Sequence, residues 1–131
     1  MSDCLIVGDS IAKGVSDIRK DCVAYVQSGI NSREWNRKFM NRPMGGRVVL
    51  ISLGSNDTPM IRSREELIYL RRMVDSADRV LWILPAIKPQ VRDIIMQLAS
   101  DWGDDVLELL QLSPDGVHPT TSGYKAIAKQ F

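Results

Sequence analysis

The chain holds one histidine, His118, two cysteines, Cys4 and Cys22, and only 6% aromatic residues. The cysteines fit no metal-ligand spacing, and each falls at the start of a strand-like run, where a buried, reduced thiol is the expected state. No apolar run approaches the ~18 residues that a membrane-spanning helix requires, and the first residues lack a basic segment followed by an apolar signal core. A cytoplasmic location is the default expectation from that start. Lys and Arg total 17 against 16 Asp and Glu, and a net charge of +1 predicts no general affinity for nucleic acid or acidic membranes. Internal repeats, low-complexity tracts and linkers are also missing. What is there, 131 residues of which 44% are hydrophobic, suits one compact domain spanning residues 1–131.

Apolar runs of strand length alternate with helical patterns along the sequence, which predicts an α/β fold with a parallel sheet covered by helices on both faces. Strands are expected at Asp3 to Val7, Cys22 to Gln27, Arg47 to Leu53, Arg79 to Leu84 and around Val106 to Leu109. Val48-Val49-Leu50-Ile51 and Val80-Leu81-Trp82-Ile83 are apolar on both faces, as central strands of a covered sheet should be. Between them, Leu67, Leu70, Val74 and Ala77 form a stripe that predicts a helix from Ser63 to Ala77, with Ser63 and Glu66 matching a capping box. Pro89 is placed to open a helix carrying Val91, Ile94, Ile95, Leu98 and Trp102. A short helix from about Ser32 to Asn41 holds Trp35 and Phe39 one turn apart, and Tyr124, Ile127, Ala128 and Phe131 repeat the pattern at the carboxyl end.

In an open parallel sheet, ligands bind beyond the carboxyl ends of the strands, and the chemically suggestive residues fall there. Gly8-Asp9-Ser10 follows the first strand, Ser28-Gly29 the second, Gly54-Ser55-Asn56-Asp57 the third, and Asp115-Gly116-Val117-His118 the fifth. A serine hydroxyl is a poor nucleophile until an imidazole takes its proton, and a carboxylate commonly holds that imidazole in the correct tautomer. Ser10, His118 and Asp115 are the candidates for these three roles. Three residues apart in a loop ending at Pro119, Asp115 and His118 can meet through a turn that leaves Nε2 pointing outward. The backbone N–H at the Ser10 turn, the Gly29 N–H and the Asn56 side-chain amide are candidate donors to an oxyanion. Each has a plainer reading taken singly: Ser10 as a helix N-cap, Gly29 as a turn glycine, Asn56 as a loop cap, Asp115 to His118 as a surface turn. Arg62 and Arg64 follow the Asn56 loop, where they can reach an anionic group on a substrate or lie on a solvated helix start. Asp9 and Asp57 are expected to stabilise their own turns.

Taken together, in order and on one predicted edge, these segments resemble the SGNH hydrolases, or GDSL-type esterases and lipases. Gly8-Asp9-Ser10-Ile11 is similar to the block with the nucleophilic serine, Gly29 to the glycine of the second block, Gly54-Ser55-Asn56-Asp57 to Gly-x-Asn-Asp, and Asp115-Gly116-Val117-His118 to Asp-x-x-His. The resemblance implies a flavodoxin-like three-layer α/β/α sandwich with five parallel strands in the order 2-1-3-4-5, and no metal or organic cofactor. It further implies a triad of Ser10, His118 and Asp115 and an oxyanion hole of Ser10, Gly29 and Asn56. The chain is shorter than is usual in that family, which predicts an open, shallow site suited to a short acyl group, most naturally acetyl, on a small-molecule or carbohydrate ester. A thioesterase or lysophospholipase is the alternative within the family, and a non-catalytic binding module retaining the fold is the alternative outside it. The Gly-x-Ser-x-Gly elbow of the α/β-hydrolases does not fit, because one strand rather than several precedes Ser10.

Overall fold

The structure, a computed structural model, describes residues 3–131. Five strands, β1 (Cys4–Gly8), β2 (Val23–Val26), β3 (Val48–Ser52), β4 (Arg79–Ile83) and β5 (Asp105–Leu107), form one parallel sheet in the order β2-β1-β3-β4-β5. The helices α1 (Ser10–Ile18), α2 (Ser32–Phe39), α3 (Ser63–Met73), α4 (Pro89–Trp102) and α5 (Thr121–Ala128) connect or follow them. This is the flavodoxin-like three-layer sandwich that the sequence resemblance implied.

Alternation along the central strands explains the layers. Leu5 and Val7, Val49 and Ile51, and Val80 and Trp82 face α2, α3 and α4, where Trp35, Leu67, Leu70, Ile95 and Leu98 complete one apolar core. Their neighbours Ile6, Leu50, Leu81 and Ile83 face α1 and α5 and pack with Ile11, Val15 and Ile127. Because both faces are covered, the strands are apolar at nearly every position, which is why they stand out in the sequence.

Two local expectations are corrected. Ser63 does not form a capping box with Glu66: Arg62 occupies the N-cap of α3 with no side-chain cap, and the Ser63 hydroxyl instead donates to Asp57 Oδ2 at 2.6 Å. The capping box lies on α2, where Asn31 Oδ1 accepts from the Glu34 N–H at 2.8 Å and Glu34 Oε1 accepts from the Asn31 N–H at 3.2 Å. The helix from Ser63 also ends at Met73 rather than Ala77. The second correction concerns the cysteines, which are not free thiols but a disulfide, Cys4–Cys22. Leu5 pairs with Val23 in the parallel register of β1 and β2, so the two preceding residues lie side by side, with Cα atoms 4.8 Å apart.

The register places the carboxyl ends of β1 and β3 together, and glycine makes that closeness possible. Gly8 has φ +142°, and a Cβ there would collide with the Ser52 carbonyl. Its successor Asp9 donates its N–H to that same carbonyl at 2.9 Å, which locks the start of α1 against the end of β3.

Candidate active site

Asp9, not Ser10, caps α1: its Oδ1 accepts from the Ile11 N–H at 3.0 Å and from the Ser52 hydroxyl at 3.1 Å. Ser10 is therefore the first helical residue. Its N–H belongs to the turn of donors that a helix leaves without intrahelical acceptors, and its hydroxyl is left for other work. Burial pushes the Asp9 carboxyl up to about 6, against the opposing pull of the Ile11 N–H and the Ser52 hydroxyl.

The Ser10 hydroxyl lies 2.8 Å from His118 Nε2, and His118 Nδ1 lies 2.7 Å from Asp115 Oδ2. The other carboxylate oxygen of Asp115 accepts from the backbone N–H groups of Val117 and His118 at 2.8 and 2.9 Å, and the Ser113 hydroxyl is 2.9 Å away. The His118 N–H is the largest of the influences holding the Asp115 carboxyl well below the usual carboxylate range, followed by the Val117 N–H and the His118 ring. An ionised carboxylate can only accept. The proton of a neutral His118 ring is then fixed on Nδ1, and the Nε2 lone pair faces the Ser10 hydroxyl. The loop itself is held by an antiparallel bridge between Leu112 and Pro119, by the Ser113 N–H donating to the His118 carbonyl at 2.8 Å, and by the Thr120 cap of α5.

A cavity of about 420 Å³ opens at this point, lined by Ser10, Ile11, Ser28, Gly29, Ser55, Asn56, Ile87, Val117 and His118. Residues that follow all five strands thus meet at the carboxyl edge of the sheet. One N–H of the Asn56 amide donates to the Ile30 carbonyl at 3.1 Å, which orients the side chain and leaves its second N–H available. The lining contains no Asp, Glu, Lys or Arg, and the His118 side chain is 41% exposed, so the cavity is open and the Asp115 carboxylate stands behind the imidazole rather than on its wall. Arg62, at the N-cap of α3, and Arg64, on its first turn, are exposed and do not line the cavity.

Sequence reasoning missed the part played by Asp57. Its carboxylate accepts from the Ser32 N–H at 2.9 Å, the Ser32 hydroxyl at 2.7 Å and the Ser63 hydroxyl at 2.6 Å. Far from serving its own turn, this 2% exposed residue ties the Asn56 loop to the starts of α2 and α3. The polar lining residues Ser28 and Ser55 and the apolar Ile87 and Val117 were also not singled out. Ser28, Ser55 and Val117 lie inside the motif segments already noted, whereas Ile87 carried no local signal.

No protein-family model matches the sequence, and a search of curated proteins finds no match. Solved structures do match. A GDSL-like lipase from Bacteroides thetaiotaomicron superposes with a TM-score of 0.73 at 18% identity, over 98% of this chain and 84% of that one. A member of the lipolytic G-D-S-L family from Veillonella parvula gives 0.69 at 15% identity, over 96% and 93%. At these identities the likeness shows the fold.

Proposed function

We propose that this chain, which shares the fold of GDSL-like lipases, is a serine esterase that removes short acyl groups, acetyl above all, from a neutral alcohol such as a carbohydrate hydroxyl. The observation that carries the reading is the continuous relay Ser10 Oγ–His118 Nε2 at 2.8 Å and His118 Nδ1–Asp115 Oδ2 at 2.7 Å, opening on the cavity that Gly29 and Asn56 also line.

In this mechanism Ser10 Oγ attacks the ester carbonyl as its proton passes to His118 Nε2, and the anionic Asp115 stabilises the imidazolium without taking the proton. The N–H groups of Ser10 and Gly29 and the free N–H of Asn56 receive the oxyanion. Collapse breaks the bond to the alcohol oxygen, which takes the proton from His118. Water then attacks the acyl-serine with His118 as base, and the returning proton restores Ser10 as the acid leaves. The apolar surface of Ile11, Ile87 and Val117 suits a small acyl group, and the uncharged lining favours a neutral ester. Arg62 and Arg64, outside the cavity, contribute at most to distal parts of a substrate.

The test is hydrolysis of p-nitrophenyl esters of increasing chain length by the wild type and by Ser10→Ala, with folding followed by circular dichroism. The expected result is turnover that is fastest with acetate and lost in the folded variant. Equal rates in both proteins would remove Ser10 as the nucleophile, and a preference for long chains would remove the short-acyl assignment.

A further inference from the structure

Among the described residues, Lys88 is the one non-glycine position with a positive φ, at φ 65° and ψ 70°. An L-residue with a Cβ adopts this conformation at a cost and persists in it only where the surroundings over-determine it. The surroundings here are specific. Lys88 lies at the N-cap of α4 without a side-chain cap, and its ammonium crosses to the loop after β3, where Nζ donates to the Asp57 carbonyl at 2.7 Å in a partly buried bond. Asp57 directly follows Asn56, and Ile87, directly before Lys88, lines the cavity beside Ser10. The same two segments also meet through Gly54, where φ is +118° and a Cβ would stand 2.5 Å from Val91 Cγ1 on the first turn of α4.

We propose that Lys88 is a positioning residue: the bond from its ammonium to the Asp57 carbonyl holds the loop after β3 so that the Asn56 amide is preset toward the oxyanion. The assignment rests on the esterase reading for its catalytic consequence. The loop is fixed from three sides, one of them the start of α3, where the Ser63 hydroxyl donates to the Asp57 carboxylate at 2.6 Å. On the α2 side, Ile30 accepts from Asn56 and Ser32 donates to the Asp57 carboxylate. On the α4 side, Lys88 supplies the charge-assisted bond, which is stronger than a neutral one and directional at the carbonyl. Losing it frees that side of the loop while leaving Ser10, His118 and Asp115 in contact with one another. A preset donor matters because a misplaced amide stabilises the transition state less while binding the ground-state ester nearly as well.

The experiment uses Lys88→Met, which keeps an unbranched stem and removes the donor, in the wild-type and Asn56→Ala backgrounds, together with the NMR resonances of the Asn56 side-chain amide. Loss of an oxyanion donor costs roughly 10²–10³ in turnover, so loosening one is expected to lower kcat by about tenfold with KM little changed. In the Asn56→Ala background the further loss should shrink to less than about twofold, since the two residues act through one donor. The Asn56 amide signals should broaden or move toward averaged positions in Lys88→Met. An equal kcat loss in both backgrounds would make Lys88 a general structural residue and overturn the proposal, as would wild-type kcat in the single variant. Amide signals unmoved by Lys88→Met would overturn it independently of turnover, whereas an absence of Ser10-dependent hydrolysis in the wild type would count against the esterase reading itself.

Discussion

At the scale of single residues, the two carboxylates beside Ser10 and His118 are driven in opposite directions by their surroundings. Asp115 is exposed and rich in donors, so its carboxyl is depressed and it remains an acceptor throughout the range in which an imidazole titrates. Replacing it with Asn offers a donor where Nδ1 already carries the proton, and favours the wrong ring tautomer. In the serine-protease precedent the equivalent change costs about 10⁴ in kcat with the geometry preserved, and Asp115→Asn is expected to lose rate on that order while remaining folded. Rates within tenfold of wild type would show that the carboxylate does not orient His118. Asp9 has the opposite tendency, because burial raises its carboxyl to about 6. A group whose folded value lies above its unfolded value adds stability below the unfolded value, near 3.8, and loses it as pH rises through the folded value, near 6. Asp9→Asn keeps an oxygen for the Ile11 N–H but does not titrate. Relative to wild type it should therefore gain on the order of 2–3 kcal/mol between pH 4 and pH 8, measured by urea denaturation at both values. A pH-independent difference would mean that Asp9 is not the raised group. Ser10, Asn56, Asp115 and His118 could be named from sequence because each lies in a short local motif. Lys88 could not, since its partner is the backbone of a residue 31 positions away and nothing in the sequence around Pro89 marks a positive φ.

At the scale of elements, the same distinction between local pattern and distant partner decides what was legible. The doubly apolar runs of β3 and β4 and the stripes of α3 and α4 are intrinsic to their segments, and they identified elements whose ends shift by a few residues. Ser63 was misassigned because a Ser-x-x-Glu spacing states what a hydroxyl can do locally, while the Asp57 carboxylate offers it a stronger partner across the fold. Arg71 was equally opaque. Within α3 it occupies a position next to the apolar stripe, and it is 5% exposed, with Nε and Nη2 paired to the two oxygens of Asp104 at 2.7 and 3.0 Å. Trp82 of β4 donates its indole N–H to the same carboxylate at 2.9 Å, so Asp104 joins α3, the end of α4 and β4. Breaking a buried pair costs about 3–5 kcal/mol, and the carboxylate that Arg71 keeps, Asp75 at 3.5 Å from Nη1, is 71% exposed and compensates little. Asp104→Ala should lower stability by that amount in chemical denaturation. A paired substitution, Arg71→Met with Asp104→Leu, should recover much of the loss, because it removes both charges together. If Asp104→Ala costs less than about 1 kcal/mol, the pair is solvated and the burial argument fails.

At the scale of the whole molecule, the sheet separates a chemical end from a structural end. The carboxyl ends of the strands present Ser10, Gly29, Asn56 and His118 around one cavity, while the amino ends of β1 and β2 are joined by Cys4–Cys22. This disulfide was not legible, because cysteines 18 residues apart become neighbours only once the crossover through α1 and the parallel register are set. Around it, Arg19 pairs with Asp21 at 2.9 Å and donates to the carbonyls of Ala128 and Phe131, so the same corner also fastens the end of α5. Closing a loop of this length reduces the entropy of the unfolded chain by an amount worth about 3 kcal/mol at 25 °C. Beta strand β1 separates that corner from Ser10 by five residues, or roughly 16 Å of extended chain. Reduction by a thiol, or Cys4→Ala with Cys22→Ala, should therefore lower the unfolding midpoint and leave kcat and KM for a p-nitrophenyl ester within about twofold of wild type at temperatures well below that midpoint, since the turn carrying Ser10 is held by Asp9 and Ser52 rather than by the cysteines. Unfolding and ester hydrolysis measured on the same reduced sample separate the two ends: a loss of turnover in protein that is still folded would show that the β1–β2 register reaches the turn carrying Ser10, and the division of the sheet into a structural and a chemical end would be wrong.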